Sequence, residues 1–234
     1  MIQTLFKSLR GTDWELLTGF VSPAFFDVVP TLGMARVFGK LVKDYANPAE
    51  FEKALKKARK TVPRLSAAEC DDPMARGRAV LELYFRQIFD FDAAVLDVRA
   101  SAFEFKPGKV TWSPKPIYYE WDAKFLAALR QLYGGFYRDD EVEFRAGLAA
   151  LDLEHAKDAF KAHFGSGDQS AVTFSLAAFK KSFQAIFESC KKNKTRLHPD
   201  FFALGAYLLC LYEHLEALEV PLDVRGAFDA ATHA

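Results

Sequence analysis

The chain has 234 residues, half of them hydrophobic, and its 31 lysines and arginines balance 31 aspartates and glutamates. This composition is typical of a globular protein with a core of its own, and the zero formal charge argues against a global attraction to nucleic acid or to an anionic membrane. Cys70, Cys190 and Cys210 have no paired spacing, which favours a reduced cytoplasmic setting over a disulfide framework.

The first 45 residues form an apolar N-terminal segment that Pro23 and Pro30 interrupt, which predicts short helices separated by bends. This segment lacks the continuous apolar run of a signal peptide, and the longest apolar stretch, residues 201–212, is too short to span a bilayer. Residues 48–234 are the predicted helical core. Because composition does not shift between the two parts, we expect a single domain, 1–234, in a cytoplasmic protein.

Capping residues mark the starts of most predicted helices. Asn47 precedes a proline and an acidic first turn, and Asp72 precedes a second proline in the same way. Asp140 and Ser175 cap two later helices in the second half of the chain. Residues 201–212 carry no charge, which predicts a helix buried at the centre of the domain. The sequence therefore predicts a mainly α fold of about seven or eight helices.

One β-hairpin interrupts these helices at about residues 102–112. Its first strand contains Phe103 and Phe105, its turn is Pro107–Gly108, and its second strand ends at Trp112. Residues 113–121, SPKPIYYEW, are expected to form a loop between the hairpin and the next helix.

The candidate metal and nucleophile sets are incomplete. Asp152 and His155 lie one helical turn apart, as do Cys210 and His214, but each pair lacks the further ligands that a metal ion needs. The sequence contains no Gly-rich phosphate loop, no dinucleotide fingerprint and no Gly-x-Ser-x-Gly elbow. We expect structural roles for both pairs, no metal site and no cofactor.

The stretch LDVRASAFEFKPGKVTWSPKP, residues 96–116, has an aspartate followed by two spaced phenylalanines and a Gly turn. It resembles the catalytic loop of the UbiB/AarF-type atypical kinases, which reads roughly D-P-H-P-G-N-F-x-F before a strand and Asp–Phe–Gly. Asp97 aligns with the loop aspartate, Arg99 replaces the histidine and Ala102 replaces the asparagine. The resemblance covers about residues 80–225 and implies a fold like a kinase C-lobe.

The departures from this family pattern imply that catalysis has been lost. Kinases hold their metal ions with the loop asparagine and with the aspartate of Asp–Phe–Gly. Ala102 and Pro114 stand near those positions, and neither side chain can bind a metal. The residues before the hairpin contain neither a Gly-rich phosphate loop nor the strand lysine. The resemblance thus implies a degenerate pseudokinase fragment in which Asp97 is a vestige or an acceptor that stabilises the loop.

The candidate binding residues surround the hairpin, because Tyr, Trp and Arg are frequent anchors of interfaces. They are Arg99, Trp112, Tyr118, Tyr119 and Trp121. The alternative is structural, with the aromatic rings covering the hairpin and filling its junction with the following helix, and with Arg99 stacked on Trp112.

We expect a non-catalytic binding, regulatory or scaffold protein. It would act through a protein partner or as a homo-oligomer, or hold a hydrophobic small molecule among its Phe-rich helices. One alternative is an enzyme of unrecognised class in which Asp97, Arg99 and loop 113–121 face a cleft. Another is an assembly subunit that uses residues 14–34. Nucleic acid and a transmembrane segment are not expected, whereas residues 20–34 offer an alternative in peripheral membrane contact.

Overall fold

The computed structural model describes residues 27–45, 48–164 and 171–233. These ranges contain ten α-helices and four short strands, so the predicted mainly α fold is confirmed, with more helices than the seven or eight expected. The helices are α1 Thr31–Tyr45, α2 Pro48–Ala58, α3 Ala67–Asp71, α4 Pro73–Phe89, α5 Ala123–Tyr137, α6 Glu141–Ala150, α7 Lys157–Phe164, α8 Leu176–Asn193, α9 Phe201–Glu216 and α10 Val224–Thr232. The predicted cap Asn47 and residues 14–26 of the N-terminal segment lie outside the described residues.

Three predicted caps start their helices as expected. The Asp72 carboxylate accepts a hydrogen bond from the backbone of α4, Asp140 accepts two from α6, and Ser175 accepts one from α8. Each bond satisfies an amide that has no partner within its own helix. The sequence prediction did not include α3 or α10, because five and nine residues are too few for a clear apolar period.

The four strands form two separate antiparallel pairs. They are β1 Ala93–Val95, β2 Phe103–Lys106, β3 Lys109–Trp112 and β4 Tyr118–Glu120. Strands β2 and β3 are the predicted hairpin, whose turn holds Gly108 at a φ of 71° that favours glycine. Strands β1 and β4 place Ala94 opposite Tyr119, so part of segment 113–121 is a strand and not a loop.

The largest cluster of buried apolar side chains runs through the described chain from Val28 to Ala231. Helix α9 lies at its centre, since every residue from Phe201 to Leu209 is buried. Helix α8 adds one face of phenylalanines, Phe179, Phe183 and Phe187, all of them buried. The expected central helix is therefore present and packs against a Phe-rich neighbour.

The described part of the N-terminal segment packs on this core. Val28, Val29, Met34 and Val37 belong to the main buried cluster. The Leu197 amide, just before α9, also donates a hydrogen bond to the Val28 carbonyl at 2.9 Å. Residues 27–40 are thus held by both apolar burial and a backbone hydrogen bond.

Candidate functional site

Asp97 and Arg99 follow β1 and form a buried ion pair. The Arg99 Nε donates to the Asp97 Oδ1 at 2.7 Å, and the two side chains are only 2% and 5% exposed. The second carboxylate oxygen, Oδ2, accepts the Lys115 backbone N–H at 2.8 Å. Both carboxylate oxygens of Asp97 therefore accept hydrogen bonds from other groups of the same chain.

The same loop is fixed by two further contacts from distant elements. The Trp112 indole N–H, at the end of β3, donates to the Asp97 carbonyl at 2.9 Å. The His214 Nδ1, on α9, lies 2.9 Å from the Val98 carbonyl, which as an acceptor requires the hydrogen to be on Nδ1. Burial lowers the pKa of His214 below its usual value of 6.5, so the neutral ring is favoured. The loop is thus fastened to the hairpin and to the central helix.

The segments that contain Ala102 and Pro114 lie side by side. The Ser113 amide donates to the Ala102 carbonyl at 2.8 Å, and the Lys115 amide contacts Asp97 two residues later. Ala102 presents only a methyl group, and Pro114 only a hydrocarbon ring. Across the described ranges, no group of three or more His, Cys, Asp and Glu side chains has the geometry of a metal site.

The predicted aromatic binding residues divide into buried and half-buried members. Trp112, Tyr119 and Trp121 are buried, whereas Tyr118 is half-buried. Trp121 stacks on Phe125 at the start of α5, with ring centroids 6.1 Å apart. These positions agree with the structural alternative, in which the rings fill the junction between the strands and α5.

A buried carboxylate that the sequence prediction missed completes this junction. Asp200 precedes α9 and is 5% exposed. Its Oδ1 accepts the Tyr119 hydroxyl at 2.8 Å, and its Oδ2 accepts the Asp122 amide at 2.8 Å. Asp200 therefore joins β4 and the start of α5 to the central helix. Its position after a proline at a helix start signals only a helix terminus, because the partners are about 80 residues away.

The two pairs considered as metal ligands have separate partners. The His155 ring lies 2.9 Å from the Ser189 hydroxyl and 3.0 Å from the Thr195 hydroxyl, which occupies both of its nitrogens. His214 contacts the Val98 carbonyl, as described above. Both histidines therefore hold neighbouring elements together.

An open polar cleft of about 310 Å³ lies beside the β1–β4 pair. One wall is a face of α2, and the other is formed by the end of α4 and by β1 and β4. Six charged side chains line it: Glu50, Lys53, Lys57, Asp90, Asp92 and Glu120. Phe91 and Tyr118 add two aromatic rings, so Tyr118 is the predicted binding residue that reaches this cleft.

The Gln87 amide forms part of the cleft floor and fixes β1 to the core. Its Oε1 accepts the Val95 amide at 2.8 Å, and its Nε2 lies 2.6 Å from the Tyr207 hydroxyl. Burial raises the pKa of the Tyr207 hydroxyl well above its usual value of 10, so this group stays neutral. The Gln87 amide and the Tyr207 hydroxyl are therefore uncharged polar groups that tie β1 to the central helix next to the cleft.

No protein-family model matches this chain, and no curated protein matches it. Within the described residues, no helix is both long and apolar enough to cross a membrane. The functional proposal therefore rests on the geometry of the molecule.

Proposed function

We propose that this chain is a non-catalytic binding protein, in which the loop around Asp97 is a structural element and the polar cleft receives the ligand. The burial of Asp97 carries this proposal. A catalytic carboxylate must reach a substrate, whereas both oxygens of this one contact Arg99 and Lys115 at 2.7 and 2.8 Å. The enzyme alternative required Asp97, Arg99 and loop 113–121 to face one cleft; Tyr118 and Glu120 of that loop line the cleft, whereas Asp97 and Arg99 are buried in their ion pair.

We further propose that the chain is a degenerate relative of the UbiB-like kinase C-lobe. In favour of this relation, the loop carrying Asp97 leads directly into a β-hairpin, and the segment after the hairpin returns to contact that loop. Phosphoryl transfer depends on metal ions held at these two places. Ala102 and Pro114 supply no ligand there, which is consistent with a domain that kept the architecture and lost the chemistry.

The ligand that fits the cleft is polar. Its six charged lining side chains would lose hydration against an apolar molecule, and unpaired burial of such groups is unfavourable. An apolar recess lined by Tyr84, Tyr133 and Tyr212 among others has a volume of about 30 Å³, far below the roughly 300 Å³ at the lower end of small-molecule sites. This recess gives little room to a hydrophobic ligand, so we favour a polar molecule or a polar segment of a partner protein.

The alternative of an assembly subunit that uses residues 14–34 has less exposed apolar surface to rest on. Val28, Val29 and Met34 of segment 14–34 are buried in the core of the same chain. These three side chains are therefore not available for a contact with another subunit or with a membrane.

Native mass spectrometry of the protein purified from its own host tests the proposal. The cleft variant Lys53→Glu/Lys57→Glu reverses the charge of one wall, and Lys56→Glu/Lys60→Glu makes the same charge change on α2 and the following turn, outside the cleft. We expect a bound species that the first variant loses and the second retains. A bound species retained by both variants would place binding elsewhere and contradict the proposal.

A further inference from the structure

The α2 wall of the cleft carries two lysines, Lys53 and Lys57, together with one carboxylate, Glu50. Lys53 and Lys57 are four residues apart on α2, so their Cβ atoms lie about 5–6 Å apart on one face. Both line the cleft, and within the described ranges neither has a carboxylate at ion-pairing distance. Two ammonium groups at this spacing can approach a single carboxylate from two sides.

The acidic wall is the one formed by the end of α4 and by β4, which carries three of the four carboxylates that line the cleft. Asp90 is the C-terminal cap of α4, and Asp92 follows two residues later. The negative end of a helix dipole disfavours carboxylates at such positions. The Arg130 guanidinium donates to the Ile88 and Phe91 carbonyls and forms a long ion pair, at 3.9 Å, with the Asp92 carboxylate, which is 94% exposed.

Strand β4 and the end of α4 complete the acidic wall. Glu120 adds a third carboxylate that lines the cleft. Phe91 and Tyr118 are half-buried beside these groups, and an aromatic face attracts a cation. Carboxylates together with aromatic rings are the groups that bind an ammonium or guanidinium ion.

We infer that the cleft binds a small dipolar molecule, with its cationic end against Asp90, Asp92 and Glu120 and its carboxylate against Lys53 and Lys57. This inference rests on the proposed function and names the ligand class. The volume of about 310 Å³ is at the lower end of the range of small-molecule sites, about 300–1,000 Å³. A ligand with charges at both ends satisfies both walls, whereas a simple cation leaves the lysines without a counterion.

The distinguishing comparison is between L-arginine and agmatine, which has the same guanidinium group but no carboxylate. Four carboxylates and two ammonium groups line the cleft, so attraction by net charge alone makes agmatine, with its greater positive charge, the tighter ligand. Recognition of both ends makes L-arginine the tighter one. The two explanations therefore predict opposite orders of affinity.

The experiment is a protein-observed NMR titration of the full chain with each probe, at constant ionic strength set by sodium chloride. We expect saturable shifts in α2, in residues 90–93 and in β4, with agmatine about fivefold weaker, the change that about 1 kcal/mol represents. In Lys53→Ala/Lys57→Ala the preference for L-arginine should vanish, whereas Lys56→Ala/Lys60→Ala should keep it. Asp90→Asn/Asp92→Asn should weaken both probes by a similar factor.

Tighter binding of agmatine, shifts outside the cleft, or the absence of saturable shifts would overturn the inference. The proposed function would survive such a result if native mass spectrometry still found a bound partner that depends on Lys53 and Lys57. If the bound species did not depend on these lysines, the proposed function and the inference about the ligand class would both be contradicted. The spectrum of each variant reports its own folding, so loss of structure cannot be mistaken for loss of binding.

Discussion

Replacing Asp97 by alanine should be strongly destabilising, because it leaves the Arg99 guanidinium buried without its countercharge. The two side chains are 2% and 5% exposed and 2.7 Å apart, so solvent screens this pair very little. Removing one partner of a buried ion pair costs about 3–5 kcal/mol. Arg99→Met should have a loss of similar size, since it leaves the carboxylate buried beside the Lys115 amide alone.

The double variant Asp97→Ala/Arg99→Met should be more stable than either single variant. It removes both charges, so neither desolvation penalty remains. What it still loses is the acceptor of the Lys115 amide, and a buried donor without a partner costs about 1–3 kcal/mol. The two substitutions are thus expected to be non-additive, with a coupling that reports the pair itself.

Urea unfolding of the four proteins measures this coupling through the midpoint at constant slope. A catalytic Asp97 held on an open surface would give a different result, with each single variant within about 0.5 kcal/mol of the wild type. That outcome, or a double variant as unstable as the sum of the two single variants, would refute the structural role assigned to the pair.

Three further predictions concern positions away from this pair. Gly135→Ala should lower the free energy of unfolding by about 1–3 kcal/mol, because the new Cβ would lie 2.2 Å from the α6 backbone. The control Gly39→Ala should leave it unchanged, because a Cβ there meets nothing within 4 Å. Equal urea midpoints for the two variants would contradict this prediction. Tyr207→Phe should cost about 1–3 kcal/mol by removing a partner of the buried Gln87 amide, and an unchanged midpoint would show that this contact is dispensable. The pKa of His214 is lower in the folded chain than in the unfolded chain. Below a pH of about 6.5 the unfolded chain therefore binds a proton that the folded chain does not, and the free energy of unfolding should fall as the pH drops. His214→Gln should flatten that decline in a series of urea midpoints, and a wild-type curve as flat as the variant's would contradict the shift.

Local signals predicted the helices well, because a cap and its amides are close in sequence. Asp72, Asp140 and Ser175 were identified from residue type and spacing alone, and each accepts the expected backbone hydrogen bond. The hairpin was equally accessible, since its two strands are joined by a turn that requires Gly108. These elements depend on contacts that span only a few residues.

Pairings across longer stretches of chain were not predictable in this way. Strand β1 has three residues, Ala93–Val95, and its partner β4 begins more than 20 residues later, so no alternating pattern marks the pair. The burial of Asp200 depends on Tyr119, from a different part of the chain. The cleft was missed for the same reason, because α2, α4 and β4 each look like an ordinary solvated surface when taken singly.

The buried and the exposed carboxylates of this protein differ in what surrounds them. Asp97 and Asp200 are buried, and their carboxylates accept hydrogen bonds from groups that the fold supplies. These partners allow the two carboxylates to be buried, because a buried carboxylate without them would have a large free-energy cost.

Asp90 and Asp92 are exposed at a helix end whose dipole disfavours them, and the ion pair of Asp92 with Arg130 is a long one, at 3.9 Å. Both carboxylates line the cleft, where their charge is accessible to a polar ligand. The search for function should therefore begin at the cleft beside α2 and not at the loop whose sequence resembles a kinase.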